Sequence, residues 1–405
     1  MGFVGTDGLG METVHAFRAE MPVANGWAYF DHAAVGPLPK RAADAVRRWA
    51  MDASVDGDVR WPEWSAAASR LRRAASELFH CSKQQIALIP NTTFGINIIA
   101  NGFPWRAGDS LVVLANEFPS NLLPWMELQK RGVEVRRVPV DADGTPCLHR
   151  IRAAIDGSTR LVSVSWVGYA TGYRLPLGEL CDVVHQVGAQ LFVDAIQGLG
   201  VFPLDTSEIP IDYAAADGHK WMLGPEGAGF LYIRESNLER IAPVMVGWGS
   251  IESSHEFNAE GAVYKRAASR YEGGSANHVG LIGLEASLKL LLEFGCHRPD
   301  NMVARTVLQN AAAIRDVLRR LGAVFPWSVP RDVPSRQQEP SADSSSGIIS
   351  FQFSGKDPFE VRRRLLDAGV VLSVRHGALR VATHAYNNQD DIERLEKGLV
   401  KICES

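Results

Sequence analysis

Between about residue 85 and residue 235 the chain switches repeatedly between two hydrophobic periods, and nothing else in it restricts the fold as much. Short apolar runs rich in β-branched residues stand at Ile86–Ile89, Leu111–Leu114, Val133–Val140, Leu161–Val167, Gln190–Val193 and Gly229–Ile233. Gly, Pro, Asn and Asp flank them, and segments of helical period separate them. Leu177, Leu180, Val184 and Val187, for example, recur at helical spacing behind Pro176, a residue suited to a first helical turn. Most of the runs are continuously hydrophobic rather than alternating, which fits strands buried on both faces. The expectation is an α/β fold built on a mostly parallel sheet covered by helices.

From about residue 279 the pattern changes to a long helical stretch, Leu281–Phe294, and then to helices mixed with short strands at Ile348–Phe353 and Val370–Val374. A chain of 405 residues exceeds what one core usually organises. We therefore expect an N-terminal segment over 1–25 that packs on a small domain, a large domain over 26–278, and a smaller α+β domain over 279–405. The stretch 331–347, rich in Pro, Ser, Asp and Gln, reads as an exposed loop. With 42 basic against 46 acidic residues, net charge −4 and no block of one sign, the composition gives no reason to expect nucleic acid or a membrane surface as partner. No apolar run approaches the roughly 18 residues that a membrane-spanning helix needs. The five cysteines are scattered without Cys-x-x-Cys or Cys/His metal spacing, so we expect no metal site and a reducing, cytoplasmic setting.

In open α/β sheets ligands sit beyond the carboxyl ends of the strands, and the residues there form a coherent set. After Ile89 comes Pro90-Asn91-Thr92-Thr93-Phe94-Gly95, which leads into a helical pattern. Free backbone N–H groups and two hydroxyls at a helix N-terminus suit an anion such as phosphate, although plain helix capping accounts for the same residues. After Val193 comes Asp194, whose carboxylate at a buried strand end calls for a cationic partner. Lys220 stands in Asp217-Gly218-His219-Lys220-Trp221-Met222-Leu223-Gly224, an apolar setting that would depress its pKa toward that of a reactive amine. Taken singly, Asp194 also reads as a cap and Lys220 as a snorkelling surface residue.

Together these segments resemble the class V aminotransferases of fold type I, a group that includes cysteine desulfurases, kynureninases and isopenicillin N epimerase. The likeness runs in order through Tyr29-Phe30-Asp31-His32-Ala33-Ala34, Asn91-Thr92-Thr93, Glu117-Phe118-Pro119-Ser120-Asn121, Val193-Asp194-Ala195-Ile196-Gln197 and Gly218-His219-Lys220. It continues through Arg270-Tyr271-Glu272-Gly273-Gly274-Ser275 and Leu379-Arg380-Val381, ahead of Tyr386-Asn387. The resemblance implies the cofactor pyridoxal 5'-phosphate, joined to Lys220 as a Schiff base, with Asp194 holding the pyridine nitrogen protonated. It further implies Gln197 on the ring hydroxyl, Phe118 stacked on the ring, and Thr92, Thr93 and His219 on the phosphate. Ser275 would reach across from the second subunit of a homodimer, and Arg380 would grip the carboxylate of a small amino acid substrate.

The departures from the family pattern bear on the reaction. Desulfurases carry a mobile segment with the nucleophilic Cys between the Val-Arg-x-Gly block and the carboxylate arginine. Here Val374-Arg375-His376-Gly377 reaches Arg380 after two residues, with no Cys between. Trp166 stands where desulfurases have Asn, and Val167-Gly168-Tyr169-Ala170-Thr171-Gly172 looks closer to the kynureninase and epimerase branch. Asp217 replaces a phosphate-holding Ser, a change the sequence does not explain. Trp248 reads first as a core tryptophan and second as a wall of the substrate pocket. On family frequency aminotransferase is placed first and a carbon–sulfur lyase or epimerase second. Cysteine desulfurase follows, and a cofactor-binding regulator without catalysis comes last, because the likeness starting at residue 29 leaves no room for a DNA-binding module.

Overall fold

The computed structural model describes residues 8–141, 144–253, 263–326 and 344–404. Its strands are β1 Ala28–Tyr29, β2 Ile86–Ile89, β3 Ser110–Leu114, β4 Glu134–Val138, β5 Thr159–Ser165, β6 Gln190–Asp194, β7 Tyr213–Asp217, β8 Gly229–Ile233, β9 Ile348–Phe351, β10 Val370–Val371, β11 Ser373–Arg375 and β12 Ala378–Ala382. Seven of them form the central sheet in the order β2-β8-β7-β6-β5-β3-β4. β8 runs antiparallel to both of its neighbours, and every other pairing in that sheet is parallel.

The side-chain period of two sorts this sheet into two cores. Ile86, Leu88, Val112, Leu114, Val162, Val164, Leu191, Val193, Ala214, Ala216, Phe230 and Tyr232 face one cluster. The residues between them, such as Ala87, Ile89, Leu111, Val113, Leu161, Phe192, Ala215 and Leu231, face the other. Leu71, Leu78, Leu180, Val184, Leu284 and Leu288 from flanking helices close the first cluster, and Ile96 and Ile99 with Trp125 and Leu128 close the second. Burial on both faces is why the runs read as continuously apolar. The edge strand β4 departs from this with Glu134 and Arg136, a charged edge that discourages further strand pairing.

A third cluster joins Ala28 and Phe30 to Ile349, Phe351, Leu365, Leu379, Val381, Leu395 and Leu399. It backs the antiparallel sheet β11-β12-β9, while β1 lies parallel to β10. The chain start is thereby tied to its end. Helix Met302–Arg320 touches two clusters, through Val303 and Val307 at its start and through Ala311, Ile314, Val317 and Leu318 further on.

Three expectations change. β7, Tyr-Ala-Ala-Ala-Asp, escapes a search for β-branched runs, yet it lies near the middle of the sheet. Its alanines serve close packing: a Cβ on Gly95 of the helix Thr92–Gly102 would lie 2.9 Å from the Ala215 Cβ. The strand expected over Leu161–Val167 stops at Ser165, and Val370–Val374 divides into two short strands with different partners. The loop expected over 331–347 lies outside the described residues up to 343. Among the described residues no helix is long and apolar enough to cross a membrane.

Candidate active site

Register brings the sequence-selected residues to one end of the sheet. Ser165 is paired with Asp194, Asp194 with Ala215, Asp217 with Gly229, and Gly229 with Ile89. Glu117, Thr92, Asp194 and the Asp217–Lys220 segment therefore emerge side by side, where a doubly wound sheet places its ligand.

The helix Thr92–Gly102 opens there with Asn91 as its cap, the side chain accepting from the Phe94 N–H at 2.8 Å. The Thr92 hydroxyl is buried and has no hydrogen-bond partner among the described residues. A buried hydroxyl without a partner, beside free N–H groups at a helix start, fits a phosphate. Thr93 hydroxyl donates to Ser120 Oγ at 2.8 Å. His219 Nδ1 lies 3.1 Å from Asp217 Oδ1, so the carboxylate that the sequence left unexplained has an imidazole beside it, although neither atom makes a hydrogen bond among the described residues.

Asp194 is buried and accepts a hydrogen bond from the Ile196 N–H at 3.1 Å. Burial pushes its carboxyl up to about 6, against the pull of that bond and of Lys220. Glu117, held by the backbone N–H and the hydroxyl of Ser165, is pushed up to about 7, again chiefly by burial, with Asp194 adding repulsion. Two buried, mutually repelling carboxyl groups make a setting that a protonated ring nitrogen would relieve. Lys220 is the nearby amine: burial lowers it to about 8, against the opposing pull of Asp194. Its Nζ lies 5.7 Å from the centroid of the Phe118 ring, which is 41% exposed and free to cover a flat ligand.

The lysine loop is fixed by the N-terminal segment. Gly36 N–H donates to His219 O at 2.6 Å, and a Cβ on Gly36 would lie 2.1 Å from Lys220 O, so only glycine permits this approach. Gln197 donates to Ala33 O at 3.1 Å and accepts from the Trp221 indole at 2.7 Å, which leaves one of its N–H bonds for a ligand.

Arg380 on β12 is 1% exposed, and its charge is near enough to Lys220 to disfavour the ammonium form. Its Nε donates to Ser373 Oγ at 3.2 Å, Nη1 to Tyr169 O at 2.8 Å and Nη2 to Asp31 Oδ1 at 3.4 Å. Burial lowers it to about 10, with Asp31 opposing, so it remains a cation at neutral pH. Asp31 is itself raised by burial and pulled back by Ser373 and Arg380.

Two sequence-selected residues stand apart. Ser275 is exposed on the surface of the chain. Trp248 is 41% exposed, which corrects its reading as a core tryptophan. The backbone explains it: a Cβ on Gly247 would lie 1.9 Å from Gly273 O, so main chain packs on main chain and the indole turns outward. Conversely, Tyr169 and His376 join the site although neither has a role in the sequence-based expectations. The Tyr169 hydroxyl is hydrogen-bonded to His376 Nε2, and its ring meets Phe118 edge-on with centroids 5.2 Å apart.

Residues 28–395 match the family described as Aminotransferase class-V. The chain belongs to the class V aminotransferase family. A probable cysteine desulfurase of Methanothermobacter thermautotrophicus is 29% identical over 95% of this chain and 97% of its own length. Among solved structures, the apo cysteine desulfurase of Thermococcus onnurineus NA1 superposes with a TM-score of 0.84 at 24% identity, covering 96% of this chain and 98% of that one. The cystine C-S lyase C-DES, solved with its product cysteine persulfide, gives 0.82 at 24% identity over 94% of this chain and 98% of that one. Both likenesses show the fold-type-I architecture. The family's cofactor is pyridoxal 5'-phosphate, and the unpartnered Thr92 hydroxyl, the Asp194 carboxyl and the depressed Lys220 amine suit its phosphate, ring nitrogen and aldehyde.

Proposed function

We propose that this family member removes the β-substituent from a sulfur-bearing amino acid by elimination, without an enzyme thiol as sulfur acceptor. The turn between β11 and β12 carries the proposal. Arg375-His376-Gly377 joins the strands directly, with Ser373 opposite Arg380, and leaves no room for a cysteine-bearing segment. All five cysteines are free and lie on other elements, with Cys181 and Cys296 buried in a hydrophobic core. A persulfide relay needs an accessible thiolate next to the substrate. The relatives act on cysteine or cystine according to their names, and this supports a sulfur amino acid as substrate.

Bound pyridoxal phosphate supplies an electron sink that weakens the bonds at the substrate's Cα. In this reading Lys220 would hold the cofactor, and its amine, which the lowered pKa keeps partly neutral, takes the Cα proton. Asp194 would keep the ring nitrogen protonated, and the spare N–H of Gln197 would meet the ring hydroxyl. Phe118 would cover one ring face, while Thr92, Thr93 and His219 would hold the phosphate. Arg380, with two N–H bonds still available, orients the substrate carboxylate. The exposed Ser275 supports a homodimer in which it reaches the partner's phosphate.

Transamination, first on family frequency, would use the same Lys220, Asp194 and Arg380. Incubation with cysteine, cystine and S-alkylcysteines, with and without added keto acids, separates the two. Keto acid and ammonia formed without an acceptor are expected. Amino transfer to an added keto acid, with no ammonia released, would overturn elimination.

A further inference from the structure

The substrate side of the site holds one pair of titratable side chains to which neither the family likeness nor the reading above gives work. Tyr169 and His376 are hydrogen-bonded through the phenol and Nε2, with ring centroids 5.7 Å apart. Tyr169 is placed by main chain and side chain alike. Its carbonyl accepts from Arg380 Nη1 at 2.8 Å, and its ring stands edge-on to Phe118, the aromatic nearest the Lys220 amine. His376 sits at the tip of the β11–β12 turn with φ 49° and is followed by Gly377 at φ 74°, the left-handed pair that a two-residue hairpin turn requires, so the turn fixes where the imidazole stands. Its imidazole is exposed, so protons exchange with water.

Elimination needs a proton at the leaving atom, because an alkyl thiolate is a basic leaving group. The neighbouring groups are poorly suited to give it. Arg380 is committed to Ser373, to the Tyr169 carbonyl and to Asp31, and in the reading above to the substrate carboxylate. Asp31 accepts from Ser373 and Arg380, and Lys220 is occupied at Cα.

We propose that Tyr169 is the acid that protonates the departing sulfur and that His376 is the residue that positions and recharges it. The proposal rests on the elimination reading. Lys220 takes the Cα proton, the electron pair of that bond forms the Cα–Cβ double bond, and the Cβ–S pair leaves with sulfur. The phenol proton passes to that sulfur. With a proton on Nε2, His376 donates to the phenol oxygen, leaves the phenol hydrogen free to face the substrate, and then returns a proton to the tyrosinate from water. The step is redox-neutral and needs no further reactant.

A leaving-group series tests it. The holoenzyme, Tyr169→Phe and His376→Gln are compared on S-alkylcysteines and on β-chloroalanine, whose chloride departs without a proton. Tyr169→Phe is expected to lose about 100-fold in kcat on the thioethers, within the usual range for a general acid, and less than about threefold on β-chloroalanine. His376→Gln loses less, with the same preference. Equal losses on both substrates would overturn the role, since a merely structural defect does not distinguish leaving groups. Histidine nitrogen NMR of the cofactor-free protein reads the pair without turnover: Tyr169→Phe shifts the His376 Nε2 signal, and an unmoved signal contradicts the bond. A wild type that releases keto acid from neither substrate class refutes elimination itself, separately from the role of Tyr169.

Discussion

The two sides of the site are built from different material. On the cofactor side, Asp194, Asp217, His219, Lys220 and Thr92 issue from or closely follow buried strands of one sheet, and the register of those strands fixes their spacing. On the substrate side, Tyr169, Arg375, His376 and Arg380 come from a loop and a tight β-hairpin, and they meet through hydrogen bonds between segments far apart in the chain. The cradle for a shared cofactor thus rests on the most constrained part of the fold. The groups that choose among reactions rest where a few residues of loop length alter the chemistry.

This contrast predicts large effects on the first side and selective ones on the second. Asp194→Asn removes the carboxylate proposed to meet the ring nitrogen. Without that charge the electron sink is weakened, so turnover of every substrate is expected to fall by roughly 100-fold or more in steady-state assays. Preserved turnover would break the assignment. Arg380→Lys keeps the charge but loses the planar fork. It is expected to raise KM for the amino acid by about 10- to 100-fold with a smaller change in kcat, while the absorption spectrum of bound cofactor stays the same. A changed spectrum of bound cofactor in Arg380→Lys would erase the distinction between the two sides.

Smaller effects sharpen it. Burial lowers Lys220 from its ordinary 10.5 to about 8, so the neutral amine is gained as pH rises through about 8 and lost below it. The rate at which cofactor-free protein takes up pyridoxal phosphate should follow that midpoint in stopped-flow absorbance. A midpoint near 10.5 would show a solvated lysine. Asn91→Ala removes a cap whose bond goes to Phe94 rather than into the anion site. It is expected to cost about 1 kcal/mol, read as a slightly lower Tm, with cofactor affinity unchanged.

Legibility in the sequence divides along the same line. Asp194 and Lys220 were readable because strand periodicity places a strand's last residues at the ligand edge, and because a charged residue in an apolar run needs a partner. β7 was not readable, since Tyr-Ala-Ala-Ala-Asp has weak strand propensity and owes its place to the helix that packs on its alanines. The outward turn of Trp248 follows from a glycine-to-glycine backbone approach that composition does not encode. The pairing of Tyr169 with His376 spans residues far apart in sequence and depends on a left-handed backbone at His376. The only local sign was the short Val374–Arg380 spacing, which told what was missing without telling what took its place.

The central claim is that Lys220 and Asp194 are two ends of one cofactor cradle, and covalent trapping tests it most directly. The protein is loaded with pyridoxal phosphate, reduced with borohydride and digested, and the modified peptide is mapped by mass spectrometry. The account predicts a single stoichiometric phosphopyridoxyl group on Lys220, lost in Lys220→Ala and reduced in Asp194→Asn. Modification spread over surface lysines, with Lys220 unmodified, would contradict it.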